Sequence, residues 1–282
     1  MDITNVENTE DIVKAKPTRK SISEETALEI FEKIKEQTKK ECYKVTLSNA
    51  SPGIEDNKVG GKPYLPIGEE YPLNKNGEPM ALLLQISLDE IDLPNFNKKG
   101  VLEVFVDRNV NKPLEYAIRC FDTGQEYQEE ESLPNIDTKN FILDGGYKIN
   151  VEKSVCYMPS VDYRWDNITR KIVKDTCDIN VETLLDLSLF AEDFDFTELF
   201  CENYHPLNGA LFTIGGYADF AQDDPRYGKL KDIENDCLFK LDSFTDERIF
   251  RIGDAGIICG VISEKSLANG EYHKAIVDWT CC

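Results

Sequence analysis

A passage that occurs twice constrains the fold of this chain more than any other feature. Gly60-Gly61 leads through Lys62-Pro63-Tyr64-Leu65-Pro66 to an apolar run, Leu82-Leu83-Leu84-Gln85-Ile86-Ser87. Gly215-Gly216, 155 residues further on, leads through Tyr217-Ala218-Asp219-Phe220 to Cys237-Leu238-Phe239-Lys240-Leu241-Asp242 at the same spacing. In each copy a glycine then opens a second apolar run. Gly100 precedes Val101–Val106, and Gly256 precedes Ile257–Ile262, 156 residues apart. Two short runs led by glycine at a repeated spacing predict two related halves built from β-hairpins. The expected fold is α+β: a β-rich, mostly antiparallel sheet built from two related halves, with an N-terminal helix and one central helix. Residues 1–20 read as a loose leader and 21–282 as a single domain, whose duplicated parts are about 43–150 and 205–280.

Local chemistry supports this plan. Ser21 or Ser23 can cap a helix whose apolar positions, Ala27, Leu28, Ile30, Phe31 and Ile34, recur at helical spacing. Tyr43 to Leu47 alternates as a strand does, and Tyr116 to Phe121 and Tyr147 to Val151 are further strand candidates. Residues 180–204 carry Val181, Leu184, Leu185, Leu187, Leu189 and Phe190, the central helical region. Phe194 to Phe200 either breaks or continues it. Ala275 to Trp279 reads as a last strand.

Composition narrows the function classes. With 41% hydrophobic residues, 14 Phe and 12 Tyr, the chain can build a core and is not disordered. Thirty-two bases against 53 acids leave a net charge of −21, which repels nucleic acid and anionic membrane and favours basic partners. No apolar run approaches the roughly 18 residues of a membrane helix, and Met1–Lys20 lacks the apolar stretch of a signal peptide. A cytoplasmic protein is the expectation. Nine cysteines without a C-x-x-C pair fit small buried side chains in a reducing compartment.

Several segments together resemble the YwqG-like family, a bacterial family of uncharacterised function. They are Lys58-Val59-Gly60-Gly61-Lys62-Pro63-Tyr64-Leu65-Pro66-Ile67-Gly68-Glu69-Glu70-Tyr71-Pro72, Leu83-Leu84-Gln85-Ile86, Gly215-Gly216-Tyr217, Gln222-Asp223-Asp224-Pro225-Arg226 and Gly253-Asp254-Ala255-Gly256. The resemblance covers roughly residues 25–280. Tyr71 stands where a tryptophan is common, and Lys240 where a second glutamine is usual. The resemblance implies an α+β fold with extensive sheet and a role beside secreted toxin or contact-inhibition systems, as an immunity or accessory protein. It implies no catalytic residues.

Charge placement is the main functional hint. From Asp175 to Pro225 there is no Lys or Arg, and twelve acids fall in that stretch. A block of one sign can steer a basic protein such as a toxin domain. Asp186, Glu192, Asp193, Asp195, Glu198 and Glu202 are the expected docking residues; a solvated helix face is the competing explanation. Asp193, Asp195 and Glu198 have a spacing that could hold a cation but lack the glycine of a calcium loop. Cys201 and His205 stand one helical turn apart, yet no second ligand pair or orienting group accompanies them, and His205-Pro206 reads as a helix end. Phosphate-binding and hydrolase motifs are absent from the sequence, so no cofactor and no metal are expected. Gln85 and Lys240 occupy matching places in apolar strands. They face either a cleft between the halves or solvent at a sheet edge. With Tyr64 and Asp219 they make the expected pocket of the alternative function, an enzyme or small-ligand receptor with its site between the two halves.

Overall fold

The computed structural model describes residues 20–109, 113–139, 141–206, 212–222, 224–227, 236–243 and 250–281. Nearly all of the expected leader lies outside them. Ser23 caps the first helix, α1 (Glu24–Thr38), its hydroxyl accepting from Thr26 N; Ala27, Ile30, Phe31 and Ile34 form the buried stripe. Ten strands follow: β1 (Lys40–Leu47), β2 (Lys58–Gly60), β3 (Ala81–Ser87), β4 (Val101–Val106), β5 (Tyr116–Phe121), β6 (Gly146–Cys156), β7 (Phe212–Gly215), β8 (Asp236–Asp242), β9 (Ile257–Ile262) and β10 (Ile276–Thr280). They make one sheet in the order β10-β9-β8-β7-β1-β6-β2-β3-β4-β5, every pair antiparallel. The α+β, β-rich, antiparallel expectation holds.

The strand order has a consequence for how the chain is held together. β2 to β5 form one flank and β7 to β10 the other, but β1 pairs with β7 and β6 pairs with β2. β1, the first strand of the chain, therefore completes the β7–β10 flank, while β6 follows β5 in sequence and returns to pair with β2; β1 and β6 pair at the centre over eight residue pairs from Lys40↔Cys156 to Leu47↔Ile149. The sheet curls until its ends approach. Tyr272, in the 3₁₀ turn before β10, donates from its hydroxyl to Lys98 O near the start of β4 (3.0 Å).

Both flanks carry a β-bulge at corresponding places, between Leu82 and Leu84 on β3 and between Cys237 and Phe239 on β8. The paired glycines that close β2 and β7 all have positive φ: 66° and 73° at Gly60 and Gly61, 72° and 78° at Gly215 and Gly216. Three of them, Gly60, Gly215 and Gly216, also sit too close to their neighbours for a side chain. A Cβ on Gly60 would lie 2.2 Å from Gly145 O, and one on Gly216 would lie 2.6 Å from Cys156 Sγ.

The concave face holds the main core, which joins Leu84, Ile86, Leu102 and Val104 of one flank to Phe239, Leu241, Ile258 and Val277 of the other. A helical layer covers part of the outer face, with α1 packed on α2 (Trp165–Cys177), α3 (Phe196–Asn203) and the 3₁₀ segment Leu184–Leu189. The central helical region of the sequence thus consists of a 3₁₀ segment and a short helix, with Phe190 to Asp195 between them. Asp186 and Asp195 draw the two boundaries, as the partner in a capping box with Thr183 and as the N-cap of α3. α2 was not among the expected elements. It starts at Arg164 without a capping side chain and ends at Asp178, a non-glycine residue at φ 55°, so it carries neither usual boundary signal. A short fourth helix, α4 (Glu264–Ala268), follows β9. No helix among the described residues is long and apolar enough to cross a membrane.

Candidate functional site

The fold divides the twelve acids of the base-free block. Asp224 is buried and Asp219 half-buried, and Asp223 lies outside the described residues. The others belong to the helical layer. Four of these are engaged locally. Asp178 is paired with Lys20 and Lys174, and Glu182 lies 3.8 Å from Arg170. Asp186 accepts from the backbone N–H groups of Glu182 and Thr183 (2.9 and 2.8 Å), and Asp195 from those of Thr197 and Glu198 (2.9 and 3.0 Å). Those bonds hold the Asp186 carboxyl below its ordinary range. Glu192, Asp193, Glu198 and Glu202 are exposed and in no ion pair among the described residues. Leu185 and Leu189 on the same layer are 48% and 64% exposed. Cys201 is exposed, and His205 lies beyond the end of α3, its Nε2 2.9 Å from Glu202 O.

The four expected pocket residues come together in two pairs. Tyr64 N donates to Gln85 Oε1 (2.7 Å), and Gln85 Nε2 donates to Ile54 O and Asp56 O (2.8 and 3.0 Å). Asp219 Oδ2 lies 3.8 Å from Lys240 Nζ, with Asp242 Oδ2 3.7 Å away on the other side. Both Gln85 and Lys240 are wholly buried, on the face opposite the main core and beneath the loop of their own flank. β7, β1, β6 and β2 lie between β8 and β3 in the sheet, so the pairs occupy separate places.

Each pair belongs to a polar row across the strands. Lys58, Gln85, Glu103 and Arg119 are successive cross-strand neighbours on one flank; Thr213, Lys240, Cys259 and Asp278 are so on the other. The rows differ in how they are satisfied. Gln85 is saturated by backbone groups, whereas Glu103, Thr213 and Lys240 bury side-chain atoms with no hydrogen-bond partner among the described residues. Burial raises the Asp219 carboxyl against the opposing charge of Lys240.

The second row ends at the wall of a cleft of about 920 Å³. Ser160 and Val161 form one side, Ala221, Gln222, Asp224, Pro225 and Tyr227 another, and Asp278 and Thr280 of β10 the third. Beneath it is an ion network. Arg226, 1% exposed, donates from Nη2 to Asp162 Oδ2 (2.8 Å) and Asp224 Oδ2 (2.6 Å) and from Nε to Asp224 (2.9 Å). Arg164 closes a bidentate pair on Asp162, both bonds 2.8 Å. Burial alone would raise the Asp162 carboxyl, but Arg164 and Arg226 hold it below its ordinary range. The guanidinium of Arg226 lies 5.1 Å from the Tyr163 ring and 5.7 Å from that of Phe220. Asp224 also caps the 3₁₀ turn Pro225–Tyr227 by accepting from Arg226 N (2.9 Å).

Buried ion networks add little net stability over an apolar core of equal volume, because desolvation offsets the attraction. A fully satisfied network under an open, polar-walled cleft therefore makes this the best-formed candidate site among the described residues. The sequence offered one signal for it, the run Gln222 to Arg226, which supplies wall and floor together. Asp162, Arg164 and Asp278 carried none, since their neighbours in the site are distant in the chain. No group of three or more His, Cys, Asp or Glu side chains among the described residues is arranged to hold a metal ion.

No curated protein matches the chain. A family model does, over residues 57–281, which takes in nine of the ten strands and the whole cleft. The chain belongs to DUF1963, a family defined by a domain of unknown function.

Proposed function

We propose that this protein is a non-enzymatic binding protein whose acidic helical layer receives a basic protein, such as a toxin domain. Within its family it is a YwqG-like protein acting in the cytoplasm as an immunity or accessory protein. The observation that carries this reading is the company of Glu192, Asp193, Glu198 and Glu202, exposed and outside any ion pair among the described residues, with exposed Leu185 and Leu189. Apolar side chains rimmed by charge of one sign suit a steered protein interface. The duplication belongs to the same proposal and draws support from the matching bulges and glycine pairs.

The test is affinity capture on the native chain and on a variant with Glu192, Asp193, Glu198 and Glu202 all changed to Lys. Asp186 and Asp195 stay, because they cap. A basic protein retained by the native chain, released by salt and bound about ten- to thousandfold more slowly by the variant is the expected result. Equal retention by both proteins removes the acidic layer from the function. A second reading, a small-ligand receptor, is favoured by the cleft beside β10. That cleft lies within one flank, away from Gln85.

A further inference from the structure

The cleft has a sign. Its floor is electrically balanced, because Arg226 and Arg164 are both committed to Asp162 and Asp224. Asp224 adds no free charge either: its oxygens accept from Arg226 N, Nε and Nη2 and from Tyr163 N. Asp278 is the remaining charged residue among the described wall residues. One of its oxygens accepts from Trp279 N (2.9 Å), and the other has no hydrogen-bond partner among the described residues. The other wall groups that can hydrogen-bond are neutral. Thr280 Oγ1 accepts from Ala221 N (2.8 Å) and so keeps its proton to donate, and Ser160 and Gln222 are exposed.

Tyr227 stands at the rim, 62% exposed, edge-on to Tyr163 with ring centroids 5.9 Å apart. Just beyond are Asp166 and Arg170 of α2, which cancel. Arg170 is also turned to Asp166 O (3.0 Å) and towards Glu182. A carboxylate with a spare oxygen, an exposed aromatic ring and hydroxyl donors, with no accessible cation on the wall among the described residues, is the environment that an ammonium or guanidinium group prefers. The volume suits a small molecule.

We propose that this cleft is a binding site for a small organic amine, its cationic end held by Asp278 and packed on Tyr227, and its polar stem met by Thr280, Ser160 and Gln222. The site is independent of the acidic helical layer. A cation there meets one unspent carboxylate in a concave, partly dehydrated place, where attraction survives salt better than on an open surface.

Isothermal titration of the full chain with spermidine and with argininamide tests this, at about 0.15 M salt to screen the diffuse attraction of the acidic surface. Saturable one-site binding is expected with at least one of the two probes. Asp278→Asn should weaken it about tenfold, the loss of one charge-assisted hydrogen bond. The asparagine keeps an oxygen for Trp279 N, so the fold should be retained, and an unchanged melting temperature checks this. Tyr227→Ala should weaken binding independently, and Glu198→Gln with Glu202→Gln should not affect it. Three outcomes overturn the proposal: no saturable binding of either amine, binding indifferent to Asp278→Asn, or binding lost in the Glu198 and Glu202 variant instead. The last would move the amine to the helical layer and leave the docking function standing.

Discussion

Glu103 is wholly buried on β4, between Gln85 and Arg119, and neither of its carboxylate oxygens has a hydrogen-bond partner among the described residues. Burial pushes its carboxyl up to about 8 from 4.5, with the charge of Lys58 partly opposing the rise. Burial also pushes the Lys58 ammonium down to about 8 from 10.5. The two groups act on stability in adjoining windows. From about pH 4.5 to 8 the folded protein keeps a proton on Glu103 that the unfolded chain has released, so this contribution falls as pH rises and levels off above about 8. From about pH 8 to 10.5 the unfolded chain holds the Lys58 proton that the fold has lost, so that contribution rises with pH. Glu103→Gln removes the first limb and, with the Glu103 charge gone, also takes away part of what opposes the fall of the Lys58 pKa. Its gain in melting temperature over the native protein should therefore widen from about pH 5 to about pH 8. A gain that stays constant across that range would mean that Glu103 is already ionised in the fold. Nothing in the sequence distinguished Glu103 from a solvent-facing glutamate in an alternating strand.

At the scale of elements, capping chemistry explains both what was legible and what was not. Ser23 announced α1, and glycine pairs announced the ends of β2 and β7. α2 stayed hidden because Arg164 and Asp178 are unusual boundary residues. Asp195 was read as a docking carboxylate, yet its geometry is that of an N-cap. The two roles separate by substitution. Asp195→Ala should cost about 1 kcal/mol by urea denaturation, whereas Asp195→Asn, which preserves the accepting oxygen, should stay within about 0.5 kcal/mol of native. If alanine proves as stable as asparagine, the cap contributes nothing and the aspartate is there for its charge.

At the scale of the whole molecule, β1 couples the flanks, because it pairs with β7 of one flank and with β6, which borders the other. Opening the β7–β10 flank breaks pairing to a strand from the other end of the chain, and one apolar core is shared by both flanks. Cooperative units follow such shared contacts. Under native conditions the slowest-exchanging amides of β3 and β4 should therefore report the same opening free energy as those of β8 and β9. A gap of more than about 2 kcal/mol between the two sets would show flanks that unfold separately.

Local pattern alone determined where β3, β4, β8 and β9 run, where α1 begins, and that the two apolar hairpins match. These features depend on side-chain periodicity and backbone freedom, which neighbours in sequence carry. Tertiary structure alone decided that Gln85 and Lys240 lie under separate loops, that the described acids of the base-free block divide among buried positions, ion pairs, caps and open surface, and that a cleft forms where residues 160–161, 221–222, 224–225, 227, 278 and 280 meet. Periodicity records which face of a strand is apolar but not what will cover the other. The ion network beneath the cleft joins Asp162 to Arg226 across 64 residues, a separation that only the folded chain closes.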